Sequence, residues 1–217
     1  MQTIDIEQTG LIPRRELRFL LHEWLDVGGL AEAGRFSGQD QGDYDEVVEM
    51  ASSMANDLFA PSLRLVDEQP PHVLDDGTIA LPEETRIAIE AFAEAGLFGM
   101  SLPVDVGGMA LPQTVTMAAY ICFQAANSSV AAYPYMTIAA ADLILAEGSD
   151  EQAARFVPAM AEGRSFGTMC LSEPQAGSSL ADVKARAVEQ DDGSYRIFGT
   201  KTWITAGDHE IGENILH

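Results

Sequence analysis

Apolar residues recur at three- and four-residue spacing through most of the chain, then give way to short alternating runs. Leu17, Leu20, Leu21, Trp24 and Leu25 share one face after Pro13, which predicts a helix ended by Gly28 and Gly29. A second helix is predicted from Tyr44 to about Asp67, with Val47, Val48, Met50, Ala51, Met54, Leu58 and Leu65 on a broad apolar face and a bend near Pro61. A third begins at Pro82, a favoured first helical residue, and ends near Gly96, with Ile87, Ala91 and Ala95 as its stripe and Phe92 beside it. "LFGMSLPVDVGGMALP" breaks the periodicity and predicts an irregular segment.

From Val115 to about Ala146 the pattern is apolar all round and is interrupted at "NSSVAAYPYMT", which predicts two mostly buried helices joined by a break. "SDEQAARFVPAMAEG" adds a short helix with Ser149 as N-cap and two acids in its first turn. From Ser165 onward the period changes. "SFGTMCLS", "VKARAVEQ", "YRIFGT" and "KTWITAG" read as strands, with "QDDGSY" as a hairpin turn. The expected fold class is α+β: an all-helical N-terminal part of about five or six helices followed by the first strands of an antiparallel β domain. The expected boundaries are a helical extension over 1–40, a helical domain over 41–164 and an incomplete β domain over 165–217. "NILH" reads as the opening of a further strand, so the chain is expected to be a piece of a longer protein.

Composition narrows the classes. The chain has 217 residues, 47% of them hydrophobic, and 12 Lys and Arg against 34 Asp and Glu give a formal charge of -22. That balance argues against a phosphate-tracking nucleic-acid surface and against binding anionic membranes. Cys122 and Cys170 both lie in apolar stretches and predict free, packed thiols. "MQTIDIEQTG" has no basic or apolar leader pattern, and no run approaches a membrane span, so the expected compartment is cytoplasmic.

Several chemistries find no support. Gly28 and Gly34 follow a helix and lack dinucleotide-fingerprint spacing. "GDHE" at Gly207–Glu210 offers consecutive acids and a His, which cannot all face one metal in an ordinary loop. His22, between Leu21 and Glu23, reads as a boundary residue, and Ser128 and Ser129 have no elbow motif around them. Met100, Met109, Met117, Met136 and Met160 read equally as core fillers or as lining for an acyl tunnel.

"MCLSEPQAGSS", followed by a hairpin and then "GTKTWITAG", resembles the flavin-binding signature of the acyl-CoA dehydrogenase family, and "GLFGMSLPVDVGG" resembles the segment that precedes it there. Three motifs in that order cover most of the chain from about Leu58. "AGDHEIGENILH" is similar to the long branch of the family that includes 3-methylmercaptopropionyl-CoA dehydrogenases. The resemblance implies FAD. It implies that the backbone at Met169 and Leu171 and the Ser172 hydroxyl meet the pyrimidine side of the ring. Gly177 keeps a side chain away from a phosphate or a neighbouring turn, Pro174 stiffens the loop, and Ser178 also meets the acyl-CoA. Trp203, Ile204 and Thr205 match the second flavin segment, with the indole near the ring and the Thr hydroxyl toward N5 or O4. Alone, Trp203 would read as core and "SEPQAGSS" as a solvated turn. Departures stand at Met169 (commonly aromatic), Gln175 (commonly Gly) and Ser179 (commonly Asp).

The implied reaction takes a proton from the α-carbon and a hydride from the β-carbon of an acyl-CoA thioester, giving a trans-2-enoyl product, as in the β-oxidation of fatty acids. Its base in the family is a Glu of a later helical domain. Glu83, Glu84, Glu90, Glu94 and Glu173 do not match it, so the base is expected beyond His217. The implied partners are an acyl-CoA, an electron-transfer flavoprotein or similar acceptor, and further copies of the chain. An acyl-CoA oxidase passing electrons to oxygen, or a non-catalytic scaffold, are the competing readings.

Overall fold

Residues 11–217 are described by a computed structural model; the expectation for "MQTIDIEQTG" lies outside the described residues. Helix α1 (Arg14–Arg18) runs into a π-turn over Phe19–Trp24. The wider turn rotates the apolar face out of register, so Leu17 and Leu21 are buried while Trp24 and Leu25 are exposed, against the five-residue face expected. His22 reaches across to the next helix, its Nε2 2.6 Å from Asp45 Oδ1.

Helix α2 (Gln41–Met54) starts on a capping box in which Asp40 accepts from the Gly42 and Asp43 amides and Asp43 accepts from the Asp40 amide. A π-turn over Ala55–Phe59 leads into α3 (Ala60–Glu68). This is the bend expected near Pro61, whose missing N–H the wider turn accommodates. A short antiparallel pair, β1 (His72–Val73) and β2 (Ile79–Ala80), precedes α4 (Glu83–Glu94). The buried stripe of α4 is Thr85, Ala88, Ile89 and Phe92; Ile87 is exposed, so the stripe lies beside the one expected. The irregular segment closes on itself through Met109 N–H to Gly99 O (2.8 Å) and Leu111 N–H to Met100 O (2.8 Å). A Cβ at Gly108 would stand 2.0 Å from Leu102 O, so only glycine permits that closure.

Helix α5 (Gln113–Glu147) is two helices joined at Asn127, whose φ of -160° and ψ of 94° leave the helical region. The break falls at the first residue of the expected interruption, and the helix runs through Pro134. Buried Asn127 caps the second half: its Oδ1 accepts from Val130 N–H (3.2 Å) and its Nδ2 donates to Ser62 Oγ (2.9 Å), which donates to Phe59 O (2.7 Å). By length and composition α5 could cross a membrane, contrary to the expectation that no run does, yet Val115, Ala119, Phe123, Val130 and Ala131 lie in the core. Helix α6 (Asp150–Ala161) opens on the expected Ser149 cap, a full capping box with Gln152.

The strands begin with β3 (Ser165–Gly167), which pairs in parallel with β6 (Asn214–Leu216). Between them β4 (Arg186–Glu189) and β5 (Tyr195–Phe198) form the expected antiparallel hairpin, exposed on both faces. The chain is therefore α+β, helices first. Two strand expectations fail: "KTWITAG" is a turn, and the pairing of β3 is parallel rather than antiparallel.

Candidate functional site

Two segments meet beyond β3. Thr168 N–H donates to Leu216 O of β6 (2.9 Å), and its Oγ1 donates to Thr205 O (2.6 Å). Thr202 N–H donates to Ser172 O (3.0 Å), and Lys201 Nζ donates to Leu171 O (3.1 Å). Residues 168–173 and 201–205 are thus laced side by side. The second segment cannot be a strand because Trp203 (φ 59°) and Ala206 (φ 52°) are left-handed, a conformation that costs non-glycine residues about 1 kcal/mol or more.

Glu173 organises the loop. The residue is 5% exposed, and its side chain accepts from the Lys184 amide (2.8 Å), the Ala185 amide (2.8 Å), Gln175 Nε2 (2.6 Å) and Lys201 Nζ (2.9 Å). The Lys184 amide and the Lys201 ammonium outweigh burial and hold its pKa at about 2. Reading the sequence placed Glu173 in a loop and passed over Lys201; an acid and a lysine 28 residues apart carry no local signal.

The structure brings Met169, Leu171, Ser172, Trp203, Ile204 and Thr205 together. Met169 (43% exposed), Leu171 (54%) and Trp203 (90%) present apolar surface, while Ile204 is half-buried. Among the described residues, the hydroxyls of Ser172, Ser178 and Thr205 make no hydrogen bond to protein, and none joins Gly177 or Ser178 to Trp203–Thr205. Gly177 and Ser178 lie past the Glu173–Ala176 bridge on the outer loop. No atom lies within 4 Å of a Cβ built at Gly177, so no neighbouring turn demands glycine there, correcting half of that expectation. An exposed, backbone-strained Trp beside the solvent-accessible hydroxyls of Ser172 and Thr205 fits a planar ring ligand with polar edges.

An open groove of about 850 Å³ adjoins the second segment, lined by Ala60, Leu63 and Val66 of α3, Val130 and Tyr133 of α5, and Thr205. Arg64 and Asp67 stand exposed at its rim. None of the five methionines considered above lines it, so packing accounts for fully buried Met100 and Met160.

Behind the groove, His209 is 4% exposed, its ring 5.2 Å from Tyr133 and 4.7 Å from Phe166. Burial, against a smaller opposing effect of Asp208, lowers its pKa from 6.5 to about 4. A depressed histidine pKa stabilises the fold above the unfolded value, and that contribution is lost as pH falls from 6.5 through about 4. The melting temperature is therefore expected to decline over that window, and to decline less in His209→Leu; equal slopes in both proteins would refute the assignment.

Residues 43–164 match the acyl-CoA dehydrogenase N-terminal domain, and the chain belongs to the acyl-CoA dehydrogenase family. Over 94% of its length it is 36% identical to the 3-methylmercaptopropionyl-CoA dehydrogenase of Ruegeria pomeroyi, covering 35% of that protein. It is 34% identical, again over 94%, to the broad-specificity linear acyl-CoA dehydrogenase of Mycobacterium tuberculosis, covering 33% of it. Among solved structures, glutaryl-CoA dehydrogenase from Mycobacterium smegmatis matches with a TM-score of 0.63 at 27% identity, over 82% of this chain and 42% of that one. The chain spans about a third of the length of the curated relatives it matches, and the likeness reaches further toward the N-terminus than the Leu58 expected.

Proposed function

We propose that this chain forms the flavin-cradling part of an FAD-dependent acyl-CoA dehydrogenase that converts an acyl-CoA thioester to its trans-2-enoyl product. The observation that carries this reading is the Ser172 O to Thr202 N–H bond, which sets exposed Trp203, Met169 and Leu171 beside an apolar groove. FAD bound there supplies the hydride acceptor. The Ser172 and Thr205 hydroxyls and nearby backbone amides are the donors for the polar ring edge, Trp203 offers an aromatic face, and Ser178 meets the pyrophosphate and the acyl-CoA. The groove offers apolar cover for the acyl tail.

The α-proton needs a carboxylate base with its pKa raised toward neutrality. Glu173, held ionised down to a pKa of about 2 by its four donors, does not suit that role, and Asp67 is exposed at the rim. The base in this reading is a Glu from outside these 217 residues. The same reading takes an electron-transfer flavoprotein as acceptor, a homo-oligomer as the working assembly and the cytoplasm as its compartment.

The test is flavin content and dye-coupled oxidation of octanoyl-CoA by the native full-length protein, beside the isolated 217-residue chain. Near-stoichiometric FAD and turnover are expected in the first, weak FAD binding and no turnover in the second. Peroxide released in step with turnover would make the protein an oxidase. Failure to take up FAD after reconstitution would leave a scaffold.

A further inference from the structure

The first helical stretch leaves its aromatic side in solvent. The π-turn over Phe19–Trp24 sends Leu17 and Leu21 into the core and turns Phe19, Leu25 and above all Trp24, 70% exposed, outward. Asp26, left-handed at a φ of 48°, then ends the stretch.

This ridge is already ordered. The Phe19 and Trp24 rings lie 6.5 Å apart, tilted by 49°, and the Arg15 guanidinium sits 5.6 Å from the centre of the Phe19 ring. Arg15 Nη1 is 2.8 Å from Glu23 Oε1, so a cation, two rings and a carboxylate form one connected surface. Arg14 pairs with Glu49 (3.0 Å) and Arg18 with Asp45 (3.4 Å), which tethers the stretch to α2. Trp and Arg held on a supported element are what protein interfaces bury at their centres.

Charge selects the partner. Arg14, Arg15 and Arg18 stand at the N-terminal end of the stretch with one acid, Glu16, among them, and Glu23 and Asp26 stand at its C-terminal end. These six charges cancel, on a chain whose formal charge is -22. Two copies repel over most of their surfaces and approach most easily where the local charge is balanced. A cationic partner is drawn instead to the acidic faces elsewhere, and an anionic one meets Glu23 and Asp26. Opposite signs at the two ends also set the orientation. Laid antiparallel about a two-fold axis, each copy's arginine end faces the other's acid end, whereas a parallel arrangement sets like against like.

We infer that the ridge of Phe19, Trp24 and Leu25 is a two-fold contact between copies of this chain, with Trp24 at its centre and Arg15 of each copy beside Glu23 of the other. The three apolar side chains form the core of the contact and the charged flanks its rim. The inference rests on the homo-oligomer of the function proposed above and is independent of its flavin chemistry.

Sedimentation velocity of the native full-length protein over a concentration series at low salt tests this. The wild type is expected to associate, and Trp24→Ser to weaken that step about tenfold or more, the scale of a central interface residue, with an unchanged circular dichroism spectrum because the side chain is mostly exposed. Arg15→Glu and Glu23→Arg should each weaken it as well, since each sets like charges together twice across the two-fold axis. Mixing these two variants is the decisive arm: in a mixed pair both crossed contacts join opposite charges again, so the mixture should recover most of the wild-type association. An Arg15–Glu23 bond that acts only within one copy gives no such recovery. A wild type that stays monomeric throughout overturns the inference together with the proposed homo-oligomer, and means that the remainder of the chain or another protein covers the ridge. Association that Trp24→Ser leaves unchanged, or a mixture no better than its two components, overturns the inference alone.

Discussion

Phe123→Ala is expected to destabilise the protein by about 4 kcal/mol, within the roughly 3–5 kcal/mol typical of a buried Phe truncated to Ala. Phe123 is fully buried in the first half of α5, its ring 4.8 Å from Phe59 and 5.0 Å from Phe92. Phe59 comes from the π-turn before α3 and Phe92 from α4, so one side chain fastens three helical elements. The column continues through Phe98, 5.1 Å from Phe92, to Phe166 of β3, 5.6 Å further on. The loss combines the transfer of the ring, the cavity left among residues that cannot all collapse, and two tilted or edge-on ring pairs worth roughly 0.5–1.5 kcal/mol each. Urea unfolding followed by circular dichroism should show a lower midpoint at an unchanged m-value. A loss below about 1 kcal/mol, no more than the average point substitution costs, would mean that the column does not bear the packing assigned to it.

The helices were legible because their signals are local. Ser149 with Gln152, Pro82, and the bend before Pro61 each act within one turn of the residue that announces them. The break in α5 was legible only to within a few residues. Pro134 draws attention as a breaker, yet the interruption belongs to Asn127, whose role as a cap depends on Ser62, 65 residues earlier. The hairpin turn "QDDGSY" carries its own chemistry, whereas the parallel pairing of Ser165 with Asn214 joins distant residues that no short-range pattern links. "KTWITAG" alternates like a strand, but Thr202 and Thr205 bond sideways to Ser172 and Thr168, and left-handed Trp203 curls the chain. Motif resemblance therefore picked out two segments that the structure lays side by side, while what ties them together, Thr168, Glu173 and Lys201, lay outside its reach.

Glu173→Leu is expected to weaken FAD binding by the full-length protein about tenfold or more, the scale of losing hydrogen bonds to a charged group. Four donors converge on this carboxylate, and each fixes a different stretch: Gln175 within the loop, Lys184 and Ala185 at the approach to β4, and Lys201 at the start of the second segment. Leucine leaves two amides without an acceptor and Lys201, three-quarters covered, without its counter-ion. The Lys201 Nζ to Leu171 O bond remains, but an uncompensated ammonium draws that lysine toward water and pulls the two segments apart. Removing the stranded charge should help: Glu173→Leu with Lys201→Met is expected to bind FAD better than Glu173→Leu alone, a coupling that a double-mutant cycle reads directly. The sign of the acid dependence follows from a pKa lowered from 4.5 to about 2: the carboxylate's contribution is complete above 4.5 and is lost as pH falls through about 2. Fluorescence titration with FAD at neutral pH measures the affinities free of that titration. Wild-type affinity in Glu173→Leu, or a double variant no better than the single one, would show that the segments hold their arrangement without this ion pair.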